Sequence, residues 1–252
     1  MNIIRTKSPD KNQIKNLLCL QNTCQDHDQI SLTFPMEENC IYYLLYENDR
    51  LLSALCAFFN ESGDLECSGF TLPSKRKQGF FALLLKELLK ESEDKDIIFP
   101  ADESCLDTMC TLRALEASFW YREHFMEITL SGFLDSEFKK NNKTREVHGL
   151  TMEPAGSDQY GFFIDGTRIG SFSFNEQGDK SYFYGFEIRE ELRRKGLGTA
   201  CLLLFLEAFF RQPEKGGSRI LFLQVSGLNK PAIALYKKAG FHITESLSYY
   251  VY

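Results

Sequence analysis

The 252-residue sequence has little of what marks membrane, secreted or metal-binding proteins. It contains one tryptophan and four histidines, and no apolar run approaches the length of a membrane span. Its eight cysteines are scattered, with no C-x-x-C pair and no histidine cluster to complete a metal site. We therefore expect reduced thiols and no bound metal. The start of the chain does not resemble a signal peptide, so we expect a cytoplasmic protein.

An excess of positive charge is also absent. The chain has 29 Lys and Arg residues against 35 Asp and Glu residues, which gives a net charge of −6. Such a balance provides no general attraction to nucleic acid or to an anionic membrane, so we expect neither as a partner. With 43% hydrophobic residues the chain can bury one large core or two small ones, and its length slightly favours two domains.

The most informative stretch is an aromatic run at residues 184–188, followed by RRKGLGT at 193–199 and an apolar helical pattern through Phe210. This order predicts a strand, a glycine-bearing loop and a helix. Backbone N–H groups at a helix N-terminus favour an anion, and a phosphate fits such a loop. A single G-x-G can equally be a tight turn with no ligand.

A second block supports the phosphate interpretation. After a predicted strand at residues 220–225 comes NKPAIALYKKAGF at 229–241. The two blocks together resemble the GNAT superfamily of acyl-CoA-dependent N-acyltransferases. Arg193-x-x-Gly196-x-Gly198 stands where that family has its pyrophosphate loop, and residues 229–241 stand where its second signature lies. The resemblance implies an α/β fold with a twisted mixed sheet flanked by helices, and acetyl-CoA as the default acyl donor.

The first half of the chain repeats this pattern. RKQGFFALLL at residues 76–85 echoes the stretch that begins at Arg193, and Gly196 follows Gly79 by 117 positions. Residues 107–119 have the spacing of residues 229–241, which follow them by 122 positions. We therefore predict two tandem GNAT-type units at residues 1–134 and 150–252, joined by a linker at 135–149. Chance similarity between two amphipathic stretches is the alternative.

The first copy has lost residues that the chemistry needs. The replacements in this alignment are Phe81 for Gly198, Asp107 for Asn229, Ala114 for Tyr236 and Ser118 for Gly240. A phenylalanine ring fills the space through which a phosphate approaches the backbone, and a carboxylate repels it. We expect acyl-CoA to bind only the second unit.

The resemblance assigns roles in the second unit. The residues expected to bind the cofactor are Phe186, Ile188, Arg193, Arg194, Lys195, Gly196, Leu197, Gly198, Thr199 and Asn229. Residues 184–188 are expected to splay from the neighbouring strand, which leaves backbone groups of Phe186 and Ile188 free. Asn229 has helix N-capping as an equally good structural role.

Two residues are candidates for proton transfer. Tyr236 is the expected general acid, because a phenol can protonate a departing thiolate. Glu187 is a candidate base beside the thioester, although strand alternation puts it on the opposite face from Phe186 and Ile188. A water relay, or no protein base, is the alternative.

The expected acceptor is a small amine. The second unit has no room before its first hairpin for the two helices that in the family wall the acceptor site, so we expect the amine to enter between the two units. The acidic balance of the chain favours a cationic amine. Two other functions stay open. One is a non-catalytic acyl-CoA sensor, and the other is aminoacyl transfer from tRNA, which the retained loop and the acidic balance disfavour.

Overall fold

The computed structural model describes residues 1–36, 39–60, 62–92, 95–140, 147–178, 180–211 and 219–252. Residues 141–146 of the predicted linker and 212–218 of the loop after the glycine-loop helix lie outside this described part. The described chain divides into two compact units. Unit 1 consists of Met1–Arg122 and Leu247–Tyr252, and unit 2 is Glu123–Ser246. Within the described ranges, no helix is both long and apolar enough to cross a bilayer, and no three metal-ligating side chains cluster.

Both halves of the chain consist of groups of strands separated by helices. In chain order they are β1 (Asn2–Thr6), α1 (Lys11–Asp28), β2 (Ile41–Glu47), β3 (Arg50–Phe59), β4 (Leu65–Thr71), α2 (Phe80–Leu89), β5 (Ile97–Ala101), α3 (Leu106–Ala114), β6 (Ser118–Thr129), α4 (Leu130–Leu134), α5 (Glu137–Lys140), β7 (Leu150–Pro154), β8 (Gln159–Ile164), β9 (Thr167–Gln177), β10 (Lys180–Ile188), α6 (Leu197–Arg211), β11 (Ile220–Ser226), α7 (Lys230–Ala239) and β12 (His242–Val251).

Unit 1 is a mixed sheet. Strands β1 to β4 are antiparallel neighbours in chain order, and β4 pairs in parallel with β5. The other edge of β5 pairs with the end of β12, from Ser248 opposite Ala101 to Val251 opposite Ile98. Helix α1 begins at Asp10, where a capping box satisfies two backbone N–H groups at the helix start. Nearly all of β3 is buried, so both faces of this sheet are covered.

Unit 2 repeats the pairing pattern of this sheet. Strands β7 to β10 are antiparallel, β10 pairs in parallel with β11, and β11 pairs with residues 123–129 of β6. The predicted hairpin is present between β8 and β9, with Asp165 at φ 48° and Gly166 at φ 77°, as a two-residue type I′ turn requires. No helix lies between β7 and β8, whose connection is described throughout. Unit 2 therefore lacks a counterpart of α1, as the sequence predicts.

The compact units differ from the predicted ranges at two places. Residues 123–134 belong to unit 2, although the sequence placed them as closing strands of the first unit, and residues 247–252 belong to unit 1. Unit 2 thus takes a strand from the range predicted for the first unit, and unit 1 takes one from the range predicted for the second. Strand pairing between residues about 100 or more positions apart leaves no local pattern in the sequence, which is why it was not predicted.

The two glycine loops have the same backbone. Lys77 and Arg194 both have φ 60°, while Gly79 and Gly196 have φ 80° and 81°. Each loop follows a short 3₁₀ turn, Pro73–Lys75 in one case and Glu190–Leu192 in the other. The predicted superposition of Gly79 on Gly196 is consistent with these dihedral angles.

The second block matches at a different offset from the predicted one. Three backbone hydrogen bonds around α3 recur around α7 at an offset of 124 positions rather than 122. Around α3, the N–H groups of Met109, Glu116 and Ala117 donate to the carbonyl oxygens of Cys105, Arg113 and Leu112, respectively. Around α7, those of Ile233, Gly240 and Phe241 donate to the carbonyl oxygens of Asn229, Lys237 and Tyr236, respectively. The counterpart of Tyr236 is therefore Leu112, not Ala114, and that of Gly240 is Glu116, not Ser118. Glu116 has φ 57°, a left-handed conformation for which a sequence rule expects glycine.

Candidate functional site

The site forms where β10 leaves its neighbour. The last parallel pair joins Tyr182 to Phe222, and β10 then continues to Ile188 paired with β9 but not with β11. A bulge between Tyr184 and Glu187 adds one residue to β10 relative to β9, and Gly185 takes φ 61° there. Phe186 has no register partner on β9 or β11. The predicted splay is confirmed, and it leaves the Phe186 backbone outside both ladders.

The bulge also changes which face each side chain takes. Phe183 and Phe186 contact each other at 5.6 Å between ring centroids, although strict alternation would separate residues three positions apart. Phe186 also packs edge-on against Phe162 in the core.

Gly170 on β9 lies opposite the end of this bulge, and the sequence did not indicate this role for it. A Cβ at this position would lie 2.5 Å from the Glu187 carbonyl oxygen and 2.8 Å from the Ile188 Cδ1. Only glycine allows the two backbones to approach so closely. A glycine inside a strand pattern is a signal for such an approach, and Gly170 lies in the middle of the run that forms β9.

The loop after β10 presents a series of backbone donors. Among the hydrogen bonds of the described residues, none uses the N–H groups of residues 194–199, whereas the next N–H, that of Ala200, donates to Gly196. The Arg193 side chain also bonds to the protein backbone, because its Nε donates a hydrogen bond to the Ile188 carbonyl oxygen at 2.8 Å. That carbonyl is therefore not free, which corrects the prediction for Ile188.

The charges of this loop are uncompensated. Arg193, Arg194 and Lys195 are exposed and form no ion pair with any carboxylate in the described part of the chain. Free N–H groups and three unpaired cations at a helix N-terminus suit a pyrophosphate.

The matching loop of unit 1 is neutralised instead. Arg76 is bound by Asp28 at 2.6 Å and by Asp107 at 3.1 Å, and Lys77 lies 3.4 Å from Asp107. The hydrogen bond from Arg76 holds the pKa of the Asp107 carboxyl below its ordinary value. Loops with the same backbone conformation therefore carry unpaired positive charges in unit 2 and paired charges in unit 1.

The second loop glycine marks the other difference. A Cβ at Gly198 would meet Ile188 and Leu235 at 3.8 Å, which is ordinary contact distance, so the space beyond it is not filled by its neighbours. The counterpart Phe81 lies against Gly69, where a Cβ would come within 2.8 Å of its ring, and its centroid is 6.1 Å from that of Phe99. The ring therefore lies against β4 and near β5, where these strands diverge. The residues of unit 2 fit an acyl-CoA and those of unit 1 do not.

The remaining predicted residues, Asn229 and Tyr236, lie at the start of helix α7 and within it. The Asn229 side chain accepts a hydrogen bond from the Ala232 N–H at 3.2 Å, so it caps this helix. Leu235 borders Gly198, and the next residue, Tyr236, is buried with its ring edge-on to Phe241. Burial raises the pKa of Tyr236 to about 12. No hydrogen bond to the Tyr236 hydroxyl occurs among the described residues, so its proton is not committed to a protein acceptor.

Glu187 lies on the exposed face of β10. Ser171 of β9, which the sequence did not single out, donates to the Glu187 carboxylate at 3.0 Å. On the same sheet, Tyr182 stacks on Tyr184 and on Phe222 with ring centroids 4.7 and 4.8 Å apart. Burial and the nearby Glu123 raise the pKa of Tyr182.

Comparison with known proteins agrees with this geometry. The model of the acetyltransferase (GNAT) family matches residues 120–241. A GCN5-related N-acetyltransferase from Sphaerobacter thermophilus has a TM-score of 0.74 at 13% identity, over 99% of this chain and 95% of that one. A tandem GNAT protein from the clavulanic acid biosynthesis pathway has a TM-score of 0.67 at 13% identity, over 100% and 98%. No curated protein sequence matches this chain. The predicted fold, mixed α/β of the tandem GNAT type, is confirmed.

Proposed function

We propose that the chain is an acyl-CoA-dependent N-acetyltransferase, on the premise that the acetyltransferase (GNAT) family model matches residues 120–241. Acetyl-CoA is the proposed donor, bound by unit 2 alone. The observation that carries this proposal is the contrast between two loops of equal backbone, one with unpaired cations and Gly198, the other with paired cations and Phe81. We propose the cytoplasm as its location.

Different residues of unit 2 have different proposed roles in the reaction. The N–H groups of residues 194–199, with Arg193, Arg194 and Lys195, would hold the pyrophosphate of the cofactor. Bound acetyl-CoA supplies the acetyl group as an activated thioester. Phe186 offers backbone groups outside both ladders for positioning it, and the Tyr236 hydroxyl holds the proton that a thiolate needs on leaving. Glu187, which accepts from Ser171, is exposed to solvent and can pass a proton to water.

A small cationic amine is the proposed acceptor. The stacked rings of Tyr182, Tyr184 and Phe222 offer π-faces to a cation, and Glu123 and Glu187 lie on or beside the same strands. None of these five residues is a cation that could bind an anionic acceptor. We therefore favour amino sugars, polyamines and simple amines over acidic peptides.

Calorimetry with CoA tests the cofactor assignment through a matched pair of variants. We expect one site per chain. Gly198→Phe, which imposes the residue of unit 1, should weaken CoA at least about tenfold, because it removes one or more charge-assisted hydrogen bonds worth about 1.5–3 kcal/mol each. Phe81→Gly, the reverse exchange in unit 1, should leave the affinity and the stoichiometry unchanged. Two sites of similar affinity would contradict the assignment.

A thiol-release assay tests the activity itself. The full-length chain is incubated with acetyl-CoA and a panel of cationic, neutral and acidic amines. Release of CoA that depends on a cationic amine supports the proposal. CoA binding without release for any amine would instead favour an acyl-CoA sensor.

A further inference from the structure

Unit 1 contains a cavity of its own. Strands β4 and β5 pair in parallel only as far as Glu66 and Ile98, while β4 continues to Thr71. A cavity of about 540 Å³ lies where they diverge. This volume is within the range of small-ligand pockets, about 300–1,000 Å³. All of its lining residues belong to unit 1.

The walls of the cavity are mainly apolar. Phe70, Phe81 and Phe99 line it from β4, α2 and β5, and Leu112 and Leu115 line it from α3 and its end. Leu112 takes the place that Tyr236 has in unit 2, so this cavity has no phenol at that point. Such walls gain free energy by removing apolar surface of a ligand from water.

The charged groups of the lining are paired with opposite charges, and Lys75 pairs with Glu47, which lies outside the lining, at 3.5 Å. Arg76 is paired with Asp28 and Asp107, and its side chain is only 14% exposed. Lys77 pairs with Asp107 as well. A phosphate would have to displace Asp28 or Asp107 from Arg76, and separating the Arg76 cation from the Asp28 carboxylate is costly because both are largely buried. The lining therefore selects against an anionic ligand.

We propose that unit 1 binds an uncharged, mainly apolar small molecule in this cavity. The site is separate from the acyl-CoA site proposed for unit 2, and it does not depend on catalysis there. The paired charges and the Phe81 ring leave the space between β4 and β5 open but change the class of ligand that fits it.

The neutral fluorophore N-phenyl-1-naphthylamine is a suitable probe, because its emission rises in apolar surroundings. With the full-length chain we expect one saturable site, which excess CoA does not displace. Thr111→Trp, which adds a ring to a lining position of α3, should weaken the probe at least tenfold. Arg113→Trp adds the same ring to the same helix at an exposed position outside the lining and should have no effect. No saturable binding, displacement by CoA, or equal weakening by both variants would overturn the proposal.

A second measurement needs no variant. Cys110 lines the cavity and is exposed, whereas Cys19 is exposed on α1 and lies outside the lining. Saturating probe should slow the alkylation of Cys110 by iodoacetamide and leave the rate at Cys19 unchanged, as followed by peptide mass spectrometry. An unchanged rate at Cys110 would show that the probe binds elsewhere and would overturn the proposal.

Discussion

Tyr250 should control the stability of unit 1, although it lies two residues from the C-terminal end of the sequence. It pairs with Phe99 of β5, is 9% exposed, and packs edge-on to Phe119 with ring centroids 5.7 Å apart. Its hydroxyl donates to Glu103 at 3.1 Å. Truncating a buried aromatic side chain costs about 3–5 kcal/mol, and the lost hydrogen bond adds about 0.5–1.5 kcal/mol. Tyr250→Ala should therefore remove a large part of a domain's usual stability of about 5–15 kcal/mol.

Hydrogen exchange locates this effect. In Tyr250→Ala, the slowest amides of β5 should exchange about 10²–10⁴ times faster, since about 1.4 kcal/mol corresponds to tenfold. The amides of α6, which belongs to unit 2, should change much less. Tyr250→Phe should lose only the hydrogen bond, and Tyr252→Ala, at a position 42% exposed, should change little. If Tyr250→Ala and Tyr252→Ala had equal effects on exchange at β5, or if α6 lost protection first, the assignment of residues 247–252 to unit 1 would be refuted.

Three further predictions concern single groups. Tyr236→Phe should lower kcat by a factor of about 10²–10⁴ while CoA affinity is retained, and an unchanged kcat would remove Tyr236 from the mechanism. Because the pKa of Tyr236 is raised to about 12, ionisation of this residue should not lower the wild-type rate below about pH 11. Gly170→Ala should destabilise the chain by about 1–3 kcal/mol in urea unfolding, because the added Cβ would clash with the Glu187 carbonyl oxygen. Gly198→Ala should not destabilise it, because its added Cβ would contact only side chains, at ordinary distances. Equal effects of the two variants would contradict this explanation. Burial raises the pKa of Asp28, but hydrogen bonds from Arg76 and His27 outweigh it and leave the pKa lowered. Asp28→Asn should therefore destabilise unit 1 at pH 7, and the difference from wild type should vanish as the pH falls through the folded-state pKa, below 3.8; a difference that persisted there would argue against the ion pair.

The sequence was sufficient for features set by neighbouring residues. The loop at 193–199, the cap at Asn229 and the turn at Asp165 and Gly166 each depend on backbone preferences within a few positions. The splay of β10 from β11 also followed, because its motif resembles a known family. These features position the candidate site, although the role of each residue in it stays a prediction.

Features that depend on distant residues were missed or misaligned. Asp28 reaches Arg76 across 48 positions, and no pattern near either residue indicates the pair. The second repeat block was aligned two positions away from its structural match, because Glu116 adopts the left-handed conformation that Gly240 has and so leaves no glycine to mark it. The bulge at Gly185 adds a residue to β10 that β4 lacks, so the strands before the two loops also align one position differently from the loops themselves.

The two units together separate what a glycine loop does for the fold from what it does for a ligand. Gly79 and Gly196 have the same φ within a degree, and both start a helix after a strand. The backbone is therefore required for the strand-to-helix connection whether or not an anion binds, and a conserved loop shape alone does not indicate a phosphate site. Side chains decide the matter, because the carboxylates around Arg76 and the ring of Phe81 can remove anion binding without disturbing the backbone. Restoring an acyl-CoA site in unit 1 should accordingly need both Phe81→Gly and removal of a carboxylate such as Asp107, since either obstacle alone is enough to exclude a pyrophosphate.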